Sequence, residues 1–157
     1  NGPLRYSKSV DRLAGYSKAM EDNCLTVDRD CLLEGNYGKK SGYLAASALL
    51  ELDERPTAVF AANDRMAAGL MHGLKERGVR VPEDVAVVGY DDSDIATVLH
   101  PQLTTVRVPF FEMGRRCGVE FVKAVKGQSR EGFEIFIKPE LVVRGSSGAK
   151  RAQSGEG

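Results

Sequence analysis

The chain has no tryptophan, only three cysteines in 157 residues, and no net charge, with 22 Lys plus Arg against 22 Asp plus Glu. Each shortage excludes something. Charge balance removes the electrostatic footprint of a module that grips DNA phosphates by itself, although a local basic patch remains possible. Cys24, Cys31 and Cys117 are odd in number and lack metal-ligand spacing, which favours a reduced, cytoplasmic setting. Cys31 and Cys117 fall in apolar patterns and read as small core residues. No apolar run is long enough to span a bilayer, and no charged-then-apolar leader precedes the first helix. GxGxxG, P-loop and CxxC patterns are missing, so no cofactor loop is expected. The two histidines, His72 and His100, lie far apart, and neither accompanies a serine or cysteine in a nucleophile-elbow context. No catalytic residue is assigned, and the chain reads as a non-enzyme.

What is present is a length suited to one domain with a sizeable core and a strand–helix–strand unit at residues 56–92. Thr57 to Ala62 is a short apolar run of the kind that forms a strand buried on both faces. Asn63 or Asp64 then caps a helix whose Ala67, Leu70, Met71 and Leu74 recur at helical spacing, and Gly78 stands at the left-handed position after it. Val85 to Tyr90 is a second apolar run. Two strands joined by a helix make a right-handed parallel crossover, so both end on the same edge of the sheet. Asn63 and Asp64 finish the first strand; Asp91, Asp92 and Asp94 follow the second. Open α/β sheets bind ligands at that carboxyl edge.

Around this unit the chain reads as follows. A helix spans Ser9 to about Asn23, with Val10, Leu13, Ala14 and Met20 on one face; Asn23 could take a left-handed conformation at its end. Cys31 to Glu34 is a short strand, and Lys40 to about Leu52 a helix whose Gly42, Ala45, Ala46 and Leu49 allow close approach to a sheet. Ile95 to Leu99 is at most one helical turn, and Leu103 to Val108 is extended. A helix over roughly 110–126 buries Phe110, Met113, Cys117, Phe121 and Val125 and ends at Gly127. Glu134 to Lys138 and Leu141 to Arg144 are strands interrupted by Pro139. From Gly145 the composition turns to Gly, Ser, Ala and charge, and residues 148–157 are expected as a disordered tail after a domain covering 1–147. The chain starts with Asn, which suggests a fragment or processed piece.

Four blocks, FAANDRMAAGL, RGVRVPEDVAVVGYDD, HPQLTTVRVPFFEMG and KPELVVRGSS, stand in an order and spacing that resemble the effector-binding core of the lac-repressor/gal-repressor family. The resemblance runs from about Gly2 to Ser147. It implies an α/β, parallel-sheet, periplasmic-binding-protein-like core, mainly the C-terminal lobe, with the other lobe and the inter-lobe cleft incomplete. It also implies a ligand-sensing and dimerisation core of a sugar-responsive transcriptional regulator. The small-molecule effector would be a sugar, sugar derivative or nucleobase, and operator DNA would be reached only through a helix-turn-helix missing from this chain. An extracytoplasmic sugar-binding protein of a transport system is the alternative. A small α/β enzyme using a metal at the Asp91 cluster is a third reading, and the absence of a calcium-loop glycine and terminal Glu argues against it.

The resemblance matches four residues to effector contacts, each with a plainer alternative. Asp91 would hydrogen-bond hydroxyls or a ring nitrogen, or else cap a turn. Asn63 offers both a donor and an acceptor, or serves only as an N-cap. Tyr37 could pack its ring on the flat face of a sugar or purine, or anchor a loop. Arg12 presents a planar cationic fork to several oxygens, or simply faces solvent. Met71 and Leu99 fall on the surfaces by which the related regulators pair, and one of them is expected to face outward in a homodimer.

Overall fold

The computed structural model describes residues 1–128 and 134–149. Its centre is the expected crossover unit: β1 (Ala58–Phe60), α3 (Asp64–Glu76) and β2 (Ala86–Asp91), with β1 and β2 parallel and Ala58 opposite Ala86. Before it come α1 (Ser7–Asp22) and α2 (Lys39–Leu50). After it come α4 (Ile95–Val98), β3 (Thr104–Arg107), α5 (Phe110–Val125), β4 (Glu140–Val142) and a 3-10 turn at Gly145–Ser147. The sheet order is β1-β2-β3-β4, parallel except for β4, which runs antiparallel beside β3.

The core lies on one face of this sheet. Asn63 starts α3 by accepting a hydrogen bond from the Met66 N–H at 2.9 Å, and the chain leaves it through Gly78 at φ 74°, where a Cβ would be strained. Met66, Leu70, Met71 and Leu74 fall on the inward side and are buried together with Val87 and Leu103. The small residues of α2 serve a different purpose from the one expected, because they admit α3 and not the sheet. A Cβ on Gly42 would lie 2.0 Å from the Met66 carbonyl oxygen, and one on Gly69 would lie 1.9 Å from that of Lys39. The two helices therefore touch backbone to backbone.

The opposite face is sparsely covered, and several expectations fail there for one reason: the apolar side of an element is buried only if another element meets it. β1 is an edge strand, and Ala58 and Phe60 are exposed rather than enclosed on both faces. Helix α5 has the expected limits and apolar stripe, yet none of its residues is buried; Phe121, Val125 and Cys117 stand in solvent. In α1 only Ser9 is buried. Residues 31–34 form no strand; among the described residues their ladder-like partner is Asn1, whose ammonium donates to Leu33 O at 2.6 Å and whose carbonyl accepts from Gly35 N at 2.8 Å. Residues 134–138 also lie outside regular structure. Cys24, not Asn23, takes the left-handed conformation after α1, with φ 56° against −103°.

The chain past Gly145 is ordered further than its composition suggests. Ser146 is buried, accepts from Thr104 N at 2.8 Å and donates to the Val87 carbonyl. Residues 150–157, most of the expected tail, lie outside the described residues. Among the described residues no helix is long and apolar enough to cross a membrane.

Candidate effector site

An open cavity of about 1100 Å³ lies over the sparsely covered sheet face, and all four residues matched to effector contacts line it: Arg12, Tyr37, Asn63 and Asp91. Parallel β1 and β2 carry Asn63 and Asp91 to the same rim, while α1 brings Arg12 and the loop before α2 brings Tyr37. Val88, Tyr90, Phe60 and Phe110 form the apolar part of the lining. A smaller, more enclosed cavity of about 440 Å³ runs along β1, lined by residues such as Leu13, Met20, Leu25 and Val59. It holds Arg12 but none of the other three, so the four matched residues come together in the larger one.

The plainer alternatives hold for part of the set. Asn63 is not a free amide: its oxygen caps α3 and its Nδ2 donates to the Tyr37 carbonyl at 3.1 Å. That bond fixes the Tyr37 loop to the start of α3 and leaves one amide hydrogen for a ligand. Tyr37, at φ 65°, shares a hydrogen bond with Ser9 Oγ, and Gly2 packs directly against its ring. Arg12 is half-buried and does not simply face solvent. Its Nη1 donates to Ala62 O at 2.7 Å, its Nε to Lys8 O at 3.1 Å, and its guanidinium sits 4.6 Å from the Tyr90 ring centroid.

Asp91 reaches the cavity by an unexpected route. Alternation along β2 puts Val87 and Gly89 on the covered face and Val88 and Tyr90 on the cavity face, so an extended Asp91 would face α3. Instead Asp91 has φ 113° and Asp92 φ 54°, conformations that side chains with a Cβ rarely adopt. This turn brings Asp91 to the cavity and sends Asp92 away from it. Burial, then the negative charge of Asp64, raise the Asp91 carboxyl above its ordinary value, opposed by the cations of Arg12 and Lys8. Asp92 accepts from Arg144 at 2.6 Å and Arg107 at 2.7 Å. Burial pushes its carboxyl up, but those two guanidinium contacts prevail and hold it below the ordinary range. The two carboxylates are turned apart, and no group of three or more possible metal ligands occurs among the described residues.

Residues not singled out by sequence complete the site. Lys8 lies 4.9 Å from the Tyr37 ring centroid, and Tyr90 supports Arg12; strand alternation alone could have placed Tyr90 with Val88. Asp64, fully buried, accepts from Ser93 N at 2.7 Å, Ser93 Oγ at 3.0 Å and Thr105 Oγ1 at 2.6 Å. No local sequence signal marks Asp64 as different from a second helix cap. Of the two residues matched to a pairing surface, Met71 is buried in the core and Leu99 is half-buried against it. The strongly exposed apolar residue nearby is Val98, at 77%.

Comparison with known proteins agrees with this architecture. Residues 2–147 match the periplasmic binding protein-like domain family. The chain is 38% identical over 144 residues to the HTH-type transcriptional repressor PurR of Vibrio atlanticus, covering 92% of this chain and 43% of that one. Among solved structures, the CelR–cellobiose complex superposes with a TM-score of 0.87 at 36% identity, covering 92% of this chain and 44% of that one. The Escherichia coli repressor ascG superposes at 0.84 and 33% identity, with 92% and 52% covered. The chain thus spans less than half the length of the curated transcriptional repressors it matches. A mostly parallel sheet and a match over nearly every described residue lead to one assignment: the chain belongs to the periplasmic binding protein-like domain family, and over that stretch it is similar to LacI-family transcriptional regulators.

Proposed function

We propose that the cavity over β1 and β2 is the effector site of a cytoplasmic transcriptional regulator, and that its ligand is a small polar molecule with a flat face: a sugar, sugar derivative or nucleobase. The observation that carries this reading is the convergence of Arg12, Tyr37, Asn63 and Asp91 on one cavity. A carboxylate, an amide, a guanidinium and an aromatic ring together suit ring hydroxyls or ring nitrogens, and they disfavour a wholly apolar ligand. Binding would shift an equilibrium between operator-binding and released states of the whole regulator. DNA would be held by a module other than residues 1–157, since these residues carry no net charge. Self-association would run through α4, where Val98 and Leu99 offer apolar surface. The test is a thermal-shift and calorimetric screen of the intact protein against glucose, cellobiose, glucose 6-phosphate, guanine and hypoxanthine. Stabilisation by members of one class, lost in Asp91→Ala, is expected. Binding that survives Asp91→Ala would remove the cavity from consideration.

A further inference from the structure

We propose that Arg144 is a positioning residue for the effector site: through Asp92 it holds the left-handed turn that aims Asp91 into the cavity. The proposal rests on the effector-site reading above for its consequence, though not for its geometry. Two consecutive residues with a Cβ, Asp91 and Asp92, stand at φ 113° and 54°. Such a pair persists only where surrounding contacts over-determine it. Without the turn, strand alternation would send Asp91 to the α3 side. Asp64 waits there, close enough that a Cβ on the neighbouring Gly89 would lie 2.4 Å from its Oδ1.

The turn is held from two sides, and neither holder lines the cavity. On the α3 side Asp64 takes the Ser93 N–H and hydroxyl. On the other side Arg144 Nη2 donates to Asp92 Oδ1 at 2.6 Å, and both side chains are more than nine-tenths buried. Arg144 is itself anchored on the sheet. Its Nη1 donates to Leu103 O at 2.8 Å, its backbone N–H to Thr104 Oγ1 at 2.8 Å, and the Thr104 hydroxyl donates back to its carbonyl at 3.0 Å. Arg107, the other partner of Asp92, is half-exposed and shared with Glu140 at 3.5 Å, so it is the looser restraint. The buried guanidinium thus connects the last strand region to the direction of a carboxylate on the opposite side of the turn.

The experiment uses the full chain and follows the Asp91 side-chain carboxyl by 13C NMR across a pH titration, alongside calorimetry with cellobiose and hypoxanthine. In unaltered protein Asp91 is expected to titrate above its ordinary value. In Arg144→Met it is expected to titrate higher still, as the side chain turns toward the α3 side and Asp64, with cellobiose or hypoxanthine affinity reduced about tenfold, the scale of one displaced hydrogen-bonding partner. Arg144→Lys, which keeps one charged donor, is expected to restore part of both. A purely structural Arg144 would lower the melting temperature and leave the Asp91 titration where it was, and that result overturns the proposal. Should Arg144→Met fail to fold, Asp92→Asn weakens the same contact and carries the same two outcomes. If neither compound binds unaltered protein, or if Asp91→Ala binds normally, the effector-site reading is what fails, and the Asp91 titration in the Arg144 variants still decides the role of Arg144.

Discussion

At the scale of single residues, the site asks for something that folding resists. Asp91 is partly buried, faces the charge of Asp64 across the turn, and has a raised carboxyl. A carboxyl whose folded value lies above its unfolded one adds stability below the unfolded value near 3.8, and that contribution is lost as pH rises through the folded value. At neutral pH the ionised Asp91 is therefore a cost to the fold. Asp91→Asn, which removes the charge and tolerates a positive φ, is expected to raise the urea midpoint at pH 7, with the gain vanishing at pH 3. The same substitution is expected to abolish the response to effector, so stability and function would move in opposite directions. Asp92 has the opposite sign. Its carboxyl is held low by Arg144 and Arg107, so its contribution is present above about 3.8 and is lost as pH falls through the folded value. Acid titration of Asp92→Asn should show a flatter loss of stability in that window than the parent protein. The two aspartates are adjacent in the sequence, and a single turn brings one to the cavity and commits the other to a structural ion pair.

At the scale of elements, α3 and α5 offer a controlled contrast. Both are amphipathic helices of ordinary length with clear ends, and periodicity placed both within a residue or two. Helix α3 buries nine residues, whereas α5 buries none. Helix α3 is enclosed because β2 lies beneath it and α2 lies against its glycines. Gly69→Ala should therefore cost about 1–3 kcal/mol in a denaturant titration, since the new methyl meets the Lys39 carbonyl, a backbone group that cannot rotate aside. Phe111→Ser on α5 should change stability by no more than about 0.5 kcal/mol, because Phe111 is 85% exposed and touches no core residue. Equal losses in the two variants would show that α5 is packed in solution.

At the scale of the whole molecule, the charge balance and the placement of apolar surface set expectations for assembly. With 22 charges of each sign, residues 1–157 alone should give no salt-sensitive, sequence-selective shift of operator DNA in a gel. The proposed pairing surface is narrower than the sequence suggested, because Met71 is buried in the core. Val98→Glu or Leu99→Glu should convert a dimeric sample to monomer in sedimentation velocity, and unchanged sedimentation in both would place the interface elsewhere. The 3-10 turn at Gly145–Ser147 belongs to the domain and not to a tail, since Ser146 joins Thr104 N and Val87 O. Truncation before Arg144 should therefore loosen β3 as well as the Asp91 turn.

What the sequence by itself determined is local and periodic: the strand–helix–strand crossover, the parallel pairing of β1 and β2, a helix cap at Asn63 or Asp64, the glycine exit at Gly78 and the shared rim for Asn63 and Asp91. These follow from hydrophobic spacing, capping chemistry and the handedness of crossovers, all of which are written in neighbouring residues. What only the tertiary structure decided is whether an apolar face finds a partner, and where a side chain points after a break in regular geometry. Periodicity marks the stripe on α5 but does not supply an element to cover it. Alternation along β2 would have turned Asp91 away from the cavity. It faces the cavity because Asp64, from 29 positions before Ser93, and Arg144, from 52 positions after Asp92, bind the turn on either side. Contacts at such separations leave no local trace in the chain, because the energy that selects the turn comes from groups brought together only by folding.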